Sequence, residues 1–387
     1  MKMLYISYGN IPSLWAHTVQ MMKMAEAFSA VTHSSAIITR AHIKLLLRRP
    51  FDYKKFYGLK KRIKVIHLYT DKGPLGPIQE KIFFPEFAER AVSYAQSHNF
   101  DLIYTRAPEI ALMAVQSNLD TILETHMNVD NKRFQKIIET SQSARFKGLV
   151  TISEFLARNY QQAGMLPAKI IVWPDAVSLK SFSDLPQKPV LRKRLKLHPE
   201  KTIAVYCGHL YENRGIKEIL LVARELSNIH FLFVGGWDKD VAKYKKQSDG
   251  LPNVQFIGFV SNDLVPSYLA ASDMILMPYS RSCETAKWMS PMKLFEAMAS
   301  SRPIIASNLG SIGVFLEDRR NALLIEPDDE KALMTAAQTL LEHSDMGAEM
   351  ASAALGDVQS LTWEKRAADI LAKFAPQFCR SSLRYEP

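Results

Sequence analysis

Short apolar runs alternate with longer stretches of helical period, and the rhythm occurs twice along the chain. In the first half, Lys2 to Ser7, Ala36 to Thr39, Ile63 to Leu68, Asp101 to Thr105, Thr121 to Glu124, Gly148 to Ile152 and Ile170 to Val172 read as strands. Helices are expected over Leu14 to Ala30, Ile78 to His98, Pro108 to Ser117, Asp130 to Ser141 and Ser153 to Ala163, and Gly73 to Pro77 is a cluster of helix breakers. Leu185 to Lys201, rich in Pro, Lys and Arg, interrupts the pattern and reads as a connector. The rhythm then restarts. Strands are expected at Thr202 to Tyr206, His230 to Val234, Val254 to Phe256, Met274 to Met277 and Leu323 to Ile325, with helices at Gly215 to Ser227, Asn262 to Ala271 and Asp328 to His343. A last helical region, Leu361 to Phe374, lies beyond the repeating units. Strands alternating with helices predict an α/β fold with parallel sheets covered on both faces. Two such halves predict two doubly wound domains facing across a cleft.

The segment Ser290 to Ser307 carries the strongest pattern. Ser290 is placed to cap a helix, with Pro291 at the first helical position. Lys293, Glu296 and Ser300 share a polar stripe beside the apolar Phe295, Met298 and Ala299, and Pro303 to Ala306 reads as a buried strand. Backbone N–H groups at such a helix start can hold phosphate oxygens, and Glu296 can accept both hydroxyls of a ribose. The plain alternative is a surface helix with a Lys–Glu pair.

The chain has 387 residues, enough for two domains, and is 47% hydrophobic and 23% charged, as a globular protein requires. Cys207, Cys283 and Cys379 offer no disulfide framework or metal spacing, so a reducing, cytoplasmic setting is expected. No apolar run is long enough to span a bilayer. The net charge of +10 is concentrated between Arg40 and Lys64, where Lys54, Lys55, Lys60, Lys61 and other cations alternate with Phe51, Tyr53, Phe56 and Tyr57. Three readings stay open for that stretch: an anionic membrane surface, a solvated loop, or a nucleic acid.

Candidate chemistry collects at strand ends. Gly208-His209, Gly235-Gly236 and Gly258-Phe259 end strands of the second half, where glycine permits close approach of a phosphate or a base. Arg214, before the first helix of that half, is placed to grip a diphosphate. In the first half His126 and Arg106 are the acid–base candidates at strand ends. There is no GxxxxGK[ST], no GxGxxG after the first strand, no HExxH, no GxSxG and no Cys/His array.

Ile11-Pro12-Ser13 with Gln20, Asp101 to Arg106, Glu124-Thr125-His126, Val150 to Phe155, Tyr206 to Leu210 through Arg214-Gly215, and Ser290 to Ser307 together resemble the retaining glycosyltransferases of the GT-B kind, family 4 (glycosyl transferases group 1). The resemblance covers nearly the whole chain. It implies an acceptor-binding Rossmann-like domain at residues 1–184, a linker at 185–200, and a nucleotide-sugar-binding Rossmann-like domain at 201–365. Residues 366–387 would cross back to the first domain. It further implies that Glu296 holds the nucleotide ribose and that Arg214 and His209 stand where the family keeps diphosphate-binding cations. Phe259 and Val260 match the segment that packs on the base, Gly9 belongs to the first loop, and His126 lies near the transferred sugar. Gly235, with Met289, Ser290, Met292 and Leu294, completes the donor-facing set.

There is one departure: Trp288 stands where the family's first motif glutamate is usual, and Glu284 is out of register. The implied activity is transfer of a hexose-type sugar, with retention, from a UDP- or GDP-sugar to a saccharide or lipid-linked saccharide, in polysaccharide or glycolipid synthesis. No metal cofactor is expected, because Arg214 and helix N-termini would stabilise the leaving diphosphate. The basic stretch Arg40 to Lys64 would then dock the protein on the inner face of the cell membrane, and no nucleic-acid partner is expected. A sugar-nucleotide epimerase on the same architecture and a non-catalytic nucleotide-sugar-binding partner are the alternatives.

Overall fold

The computed structural model describes residues 1–41, 51–69, 76–128 and 132–379. The chain divides into two compact units, one made of Met1–Pro174 with the chain from Trp363 onward, the other of Asp175–Thr362.

The first unit runs β1 (Met3–Asn10), α1 (Ala16–Val31), β2 (Ser35–Ala41), α2 (Tyr53–Tyr57), β3 (Val65–Tyr69), α3 (Gly76–Ser97), β4 (Leu102–Thr105), α4 (Pro108–Gln116), β5 (Asp120–Thr125), α5 (Lys132–Thr140), β6 (Phe146–Thr151), α6 (Glu154–Gln162) and β7 (Ile170–Val172). Among the described residues these strands form a seven-stranded parallel sheet in the order β3-β2-β1-β4-β5-β6-β7. The order reverses direction between β1 and β4, and a doubly wound sheet exposes its ligand-binding strand ends at that kind of point.

The second unit begins with α7 (Lys180–Ser183) and α8 (Lys188–Leu195), followed by β8 (Thr202–Cys207), α9 (Ile216–Glu225), β9 (Ile229–Val234), α10 (Asp238–Gln247), β10 (Val254–Gly258), α11 (Val265–Ala271) and β11 (Met274–Met277). It continues through α12 (Met292–Ala299), β12 (Ile304–Ser307), β13 (Leu323–Ile325), α13 (Glu330–Glu342) and α14 (Ser344–Val358). Its strands form a six-stranded parallel sheet, β10-β9-β8-β11-β12-β13, among the described residues.

Period-two side-chain direction explains how β8 is buried on both faces. Ile203 and Val205 join one apolar cluster with Leu232, Ile275 and Ile304, while Ala204 and Tyr206 join the other with Phe231, Phe233 and Leu276.

Residues 185–200, expected as a connector, lie inside the second unit. The buried Arg192 anchors α8 by donating from Nη2 to Asp273 Oδ2 at 2.5 Å and from Nε to Ala271 O at 3.0 Å. The last helix, α15 (Trp363–Phe374), belongs to the first unit and packs against α1 and β6. Trp363, Ala367, Ile370, Leu371 and Phe374 make its buried stripe. Gly148 in β6 lies beneath Phe374, and a Cβ on that glycine would stand 2.2 Å from the ring.

Within the basic stretch, residues 42–50 lie outside the described residues. Arg40 is buried and donates to Asn10 Oδ1 at 3.2 Å, so it is not a surface cation. The aromatics turn on one another rather than outward: Phe56 sits edge-on to both Phe51 and Tyr57, and Tyr53 hydrogen-bonds His67. Glu26 accepts the backbone N–H groups of Lys60 and Lys61 at 2.5 and 2.6 Å, tying the segment to α1. Lys54, Lys55, Lys60 and Lys61 are exposed.

Candidate functional site

In the second unit the ends of three neighbouring strands are laced by backbone bonds. Gly208 N–H donates to Val234 O and Gly235 N–H to Gly258 O, both at 2.8 Å. Gly235 has φ +110°, and a Cβ there would lie 2.5 Å from Gly208 O, so only glycine fits. The sequence after β8 turns through Glu212–Arg214 into α9, which brings Arg214 beside this floor.

The Arg214 guanidinium lies 4.6 Å from the centroid of Tyr279, with Nη1 3.3 Å from Cys283 Sγ. The ammonium of Lys293, one turn before Glu296 on α12, lies 4.2 Å from the Tyr206 ring centroid and 4.6 Å from that of Tyr279. A Cβ on Gly208 would stand 3.6 Å from Lys293 Nζ, so the ammonium overlies the glycine turn. Neither cation forms a salt bridge with a described residue. Burial, and then the Arg214 charge, lower the Lys293 ammonium to about 7. Burial, and then the Glu296 carboxylate, push the Cys207 thiol up to about 12, which places Glu296 within electrostatic reach of the same spot.

The other expected donor-site residues divide. Ser290 does not cap α12. The helix starts at Met292 with Pro291 at its N-cap, and the Ser290 hydroxyl instead accepts the Asp175 N–H at 2.8 Å. Pro291 has an extended backbone, φ −78° and ψ 120°, so the cap lies one residue later than the pattern predicts. The Met289 N–H, expected to face the donor, donates to Thr285 O at 2.8 Å, and the Leu294 N–H donates to Pro291 O at 2.9 Å. Met292 opens the helix. His209 is stacked between Tyr211 and Trp237, at centroid distances of 5.2 and 5.1 Å. Burial first, and then Lys293, hold its ring below the ordinary histidine range. Phe259 is 45% exposed just beyond β10, and Val260 packs on the core beside it.

In the first unit, β5 ends at Thr125 and delivers Glu124 and His126 to one polar cluster. Glu124 is fully buried and accepts from Gln20 Nε2 at 2.6 Å, from Arg366 Nη1 at 3.1 Å and from the Tyr104 hydroxyl. His126 Nε2 meets Glu124 Oε1 at 2.6 Å, and Arg106 Nη1 donates to Gln20 Oε1 at 2.9 Å. Burial works against the Glu124 charge, but Arg366, His126 and Arg106 hold its carboxyl well below the usual range. An ionised carboxylate only accepts, so Nε2 of His126 carries the proton and Nδ1 is left as an acceptor. Burial, and then Arg106, lower His126 to about 4, so the imidazole is neutral near pH 7. Gly9 stands in β1, where its carbonyl accepts from Thr39 Oγ1 at 2.9 Å and a Cβ would come within 3.3 Å of His17 Nε2.

The motifs pointed to Gln20, Arg106, Glu124, His126, Arg214 and Glu296, but not to Arg366, Tyr279 or the role of Lys293. The signal for Arg366 is a charge set within the apolar stripe of α15. The signal for Lys293 is its adjacency to Glu296 on one helix face, which also fits an ordinary surface pair.

Residues 201–343 match the family model described as Glycosyl transferases group 1. The chain is 26% identical over 198 residues to alpha-galactosylglucosyldiacylglycerol synthase of Streptococcus pneumoniae, covering 49% of this chain and 51% of that protein. It is 23% identical over 310 residues to phosphatidyl-myo-inositol mannosyltransferase of Mycolicibacterium smegmatis, covering 76% of each. The match thus spans about half the length of the Streptococcus protein. Among solved structures, HepE of Anabaena in complex with UDP superposes with a TM-score of 0.71 at 18% identity, over 96% of this chain and 100% of that one. Sucrose-phosphate synthase from Thermosynechococcus elongatus does so at 0.75 and 19%, over 98% and 99%. The two Rossmann-like units thus share the GT-B fold of these structures, and within the second unit residues 201–343 match the glycosyl transferases group 1 model.

Proposed function

We propose that the chain transfers a hexose-type sugar, with retention at the anomeric carbon, from a UDP- or GDP-sugar to a saccharide or lipid-linked saccharide. The observation that carries this reading is Arg214, a guanidinium with no carboxylate partner among the described residues, set beside the glycine-lined ends of β8 and β9. A diphosphate supplies the missing anion, and the Gly208 and Gly235 turns allow its oxygens close to the backbone. Glu296 clasps the ribose and Phe259 covers the base. The solution of HepE with UDP-glucose and the likeness to a GDP-mannose-dependent alpha-mannosyltransferase of Corynebacterium glutamicum support both nucleotides as donors.

The first unit receives the acceptor. The acceptor hydroxyl oxygen bonds to the anomeric carbon on the face from which the phosphate leaves. As that carbon–oxygen bond breaks, the hydroxyl proton passes to the leaving phosphate. Arg214 stabilises the charge that grows there without a metal. His126, neutral and with Nδ1 as acceptor, orients a sugar hydroxyl rather than forming a covalent intermediate. Exposed Lys54, Lys55, Lys60 and Lys61 favour a lipid-linked acceptor at an anionic membrane.

The test is a melting-temperature series with UDP, GDP, ADP and their sugars, followed by product analysis of the stabilising donor with and without saccharide acceptors. A UDP- or GDP-sugar is expected to stabilise the protein, and Arg214→Met is expected to abolish that shift. Isomerised donor as the product would instead identify an epimerase, and no stabilisation by any nucleotide would remove the proposal.

A further inference from the structure

Two cations share the Tyr279 ring in the second unit, and only one of them was expected. Family resemblance puts the second diphosphate-binding cation at position 209, but His209 is clasped between two aromatic rings and its charge is disfavoured first by burial and then by Lys293. An ammonium does stand over the same turn. Lys293 Nζ lies 3.6 Å from where a Gly208 Cβ would be, and 4.2 and 4.6 Å from the Tyr206 and Tyr279 centroids.

We propose that Lys293, and not His209, is the second cation that grips the diphosphate beside Arg214. The inference rests on the reading of this site as a nucleotide-sugar site, and adds to it the group that takes the charge lost at position 209.

The surroundings are arranged for an anion that comes from outside the chain. Lys293 forms no hydrogen bond or salt bridge with a described residue. Its like-charged neighbour Arg214 depresses its protonation, and the two aromatic faces only partly offset the loss of water. Such a pair is unfavourable when the site is empty and favourable once a diphosphate lies between the two charges.

The charged and titratable groups facing Lys293 come from four places: Cys207 and Tyr206 on β8, Arg214 before α9, Tyr279 and Cys283 after β11, and Glu296 on α12. His209, after β8, feels it too. Lys293 itself is lowered to about 7, whereas burial raises Tyr206 and Tyr279 above their ordinary range and Cys207 to about 12. A bound diphosphate restores the ammonium charge, so the liganded protein holds more protons than the free protein above pH 7. Affinity therefore falls as pH rises from 7 to 9, approaching tenfold per unit.

The experiment is calorimetric titration of the full chain with UDP-glucose and GDP-mannose between pH 6.5 and 9, where their diester phosphates do not titrate. Wild type is expected to bind one of them with the falling affinity described and with uptake of a proton. Lys293→Met is expected to lose tenfold or more in affinity at pH 7 and to lose the pH slope. Lys293→Arg is expected to keep affinity within a few-fold while also losing the slope, a split that a merely structural lysine would not produce. Melting of the unliganded Lys293→Met protein at or above the wild-type temperature shows that the loss is not one of folding. Wild-type affinity and slope in folded Lys293→Met overturn the inference and leave the nucleotide site standing. If wild type binds no nucleotide sugar, the inference falls together with the reading of the site.

Discussion

Glu124 gathers more partners than any other acid described here, and its consequences are those of a buried charge. Arg366 is itself fully buried, with Nε donating to Pro174 O at 2.8 Å and Nη1 to Glu124. A buried pair adds little net stability compared with apolar residues, but removing one member strands the other. Arg366→Met is therefore expected to cost about 3–5 kcal/mol in urea unfolding. The double change Glu124→Gln with Arg366→Met should cost clearly less than the sum of the two single changes. The two depressed histidines of this unit set a pH dependence. His126 and His17 both lie at about 4 in the folded chain, His126 through burial and Arg106 and His17 likewise. Between pH 6.5 and 4 the unfolded chain binds more protons than the folded one, so stability present above pH 6.5 is lost as the pH falls through that window. For His126 this amounts to about 3 kcal/mol at pH 4. Urea midpoints across the range should show it, and His126→Gln should flatten the curve by about one proton.

At the scale of elements, the turn from β8 into α9 is held by a contact that only glycine tolerates. Gly215 has φ +74°, and a Cβ there would stand 1.8 Å from Pro278 O, whereas Gly250, at φ +79°, meets nothing within 4 Å. Gly250→Ala should cost about 1–2 kcal/mol, the left-handed strain alone. Gly215→Ala should exceed that and displace Arg214, read as a lower melting temperature together with lost nucleotide binding. Elements with strong period were legible in the sequence: the strands of both sheets, α9 with its buried Ile216, Ile219, Leu220 and Ala223, and α13. The helix α14 was not, because its buried face is Gly347, Met350, Ala351, Ala354 and Val358, mostly small residues with weak contrast to their neighbours. It is the packing of Gly347 against Pro303 and Leu340 that shows why small residues stand there. The site was legible as motifs but not as chemistry. The motifs name Glu296 and Arg214 as candidates, whereas the position of Lys293 over two rings depends on Tyr206 and Tyr279, which no sequence spacing ties to it.

At the scale of the molecule, no described helix is long and apolar enough to cross a membrane. Each unit has its own sheet and its own apolar clusters. The first unit is nevertheless not continuous in sequence. Its sheet is written before Pro174, and α15, which brings Arg366 to Glu124 and Phe374 onto Gly148, comes after Thr362. Residues 1–174 alone are expected to unfold without a sharp transition, and a separately added peptide of residues 363–379 should restore one, followed by near-ultraviolet circular dichroism.

The same arrangement orders events during synthesis. The ribosome completes the first sheet early, yet the arginine partner of its buried acid is translated only after the whole of the second unit. Until then Glu124 in the nascent first unit lacks its arginine partner and Gly148 in β6 lacks the Phe374 ring that covers it, while the second unit already has all its parts. The half made first is thus the half that finishes second, and that waiting interval is when chaperones or proteases would find it.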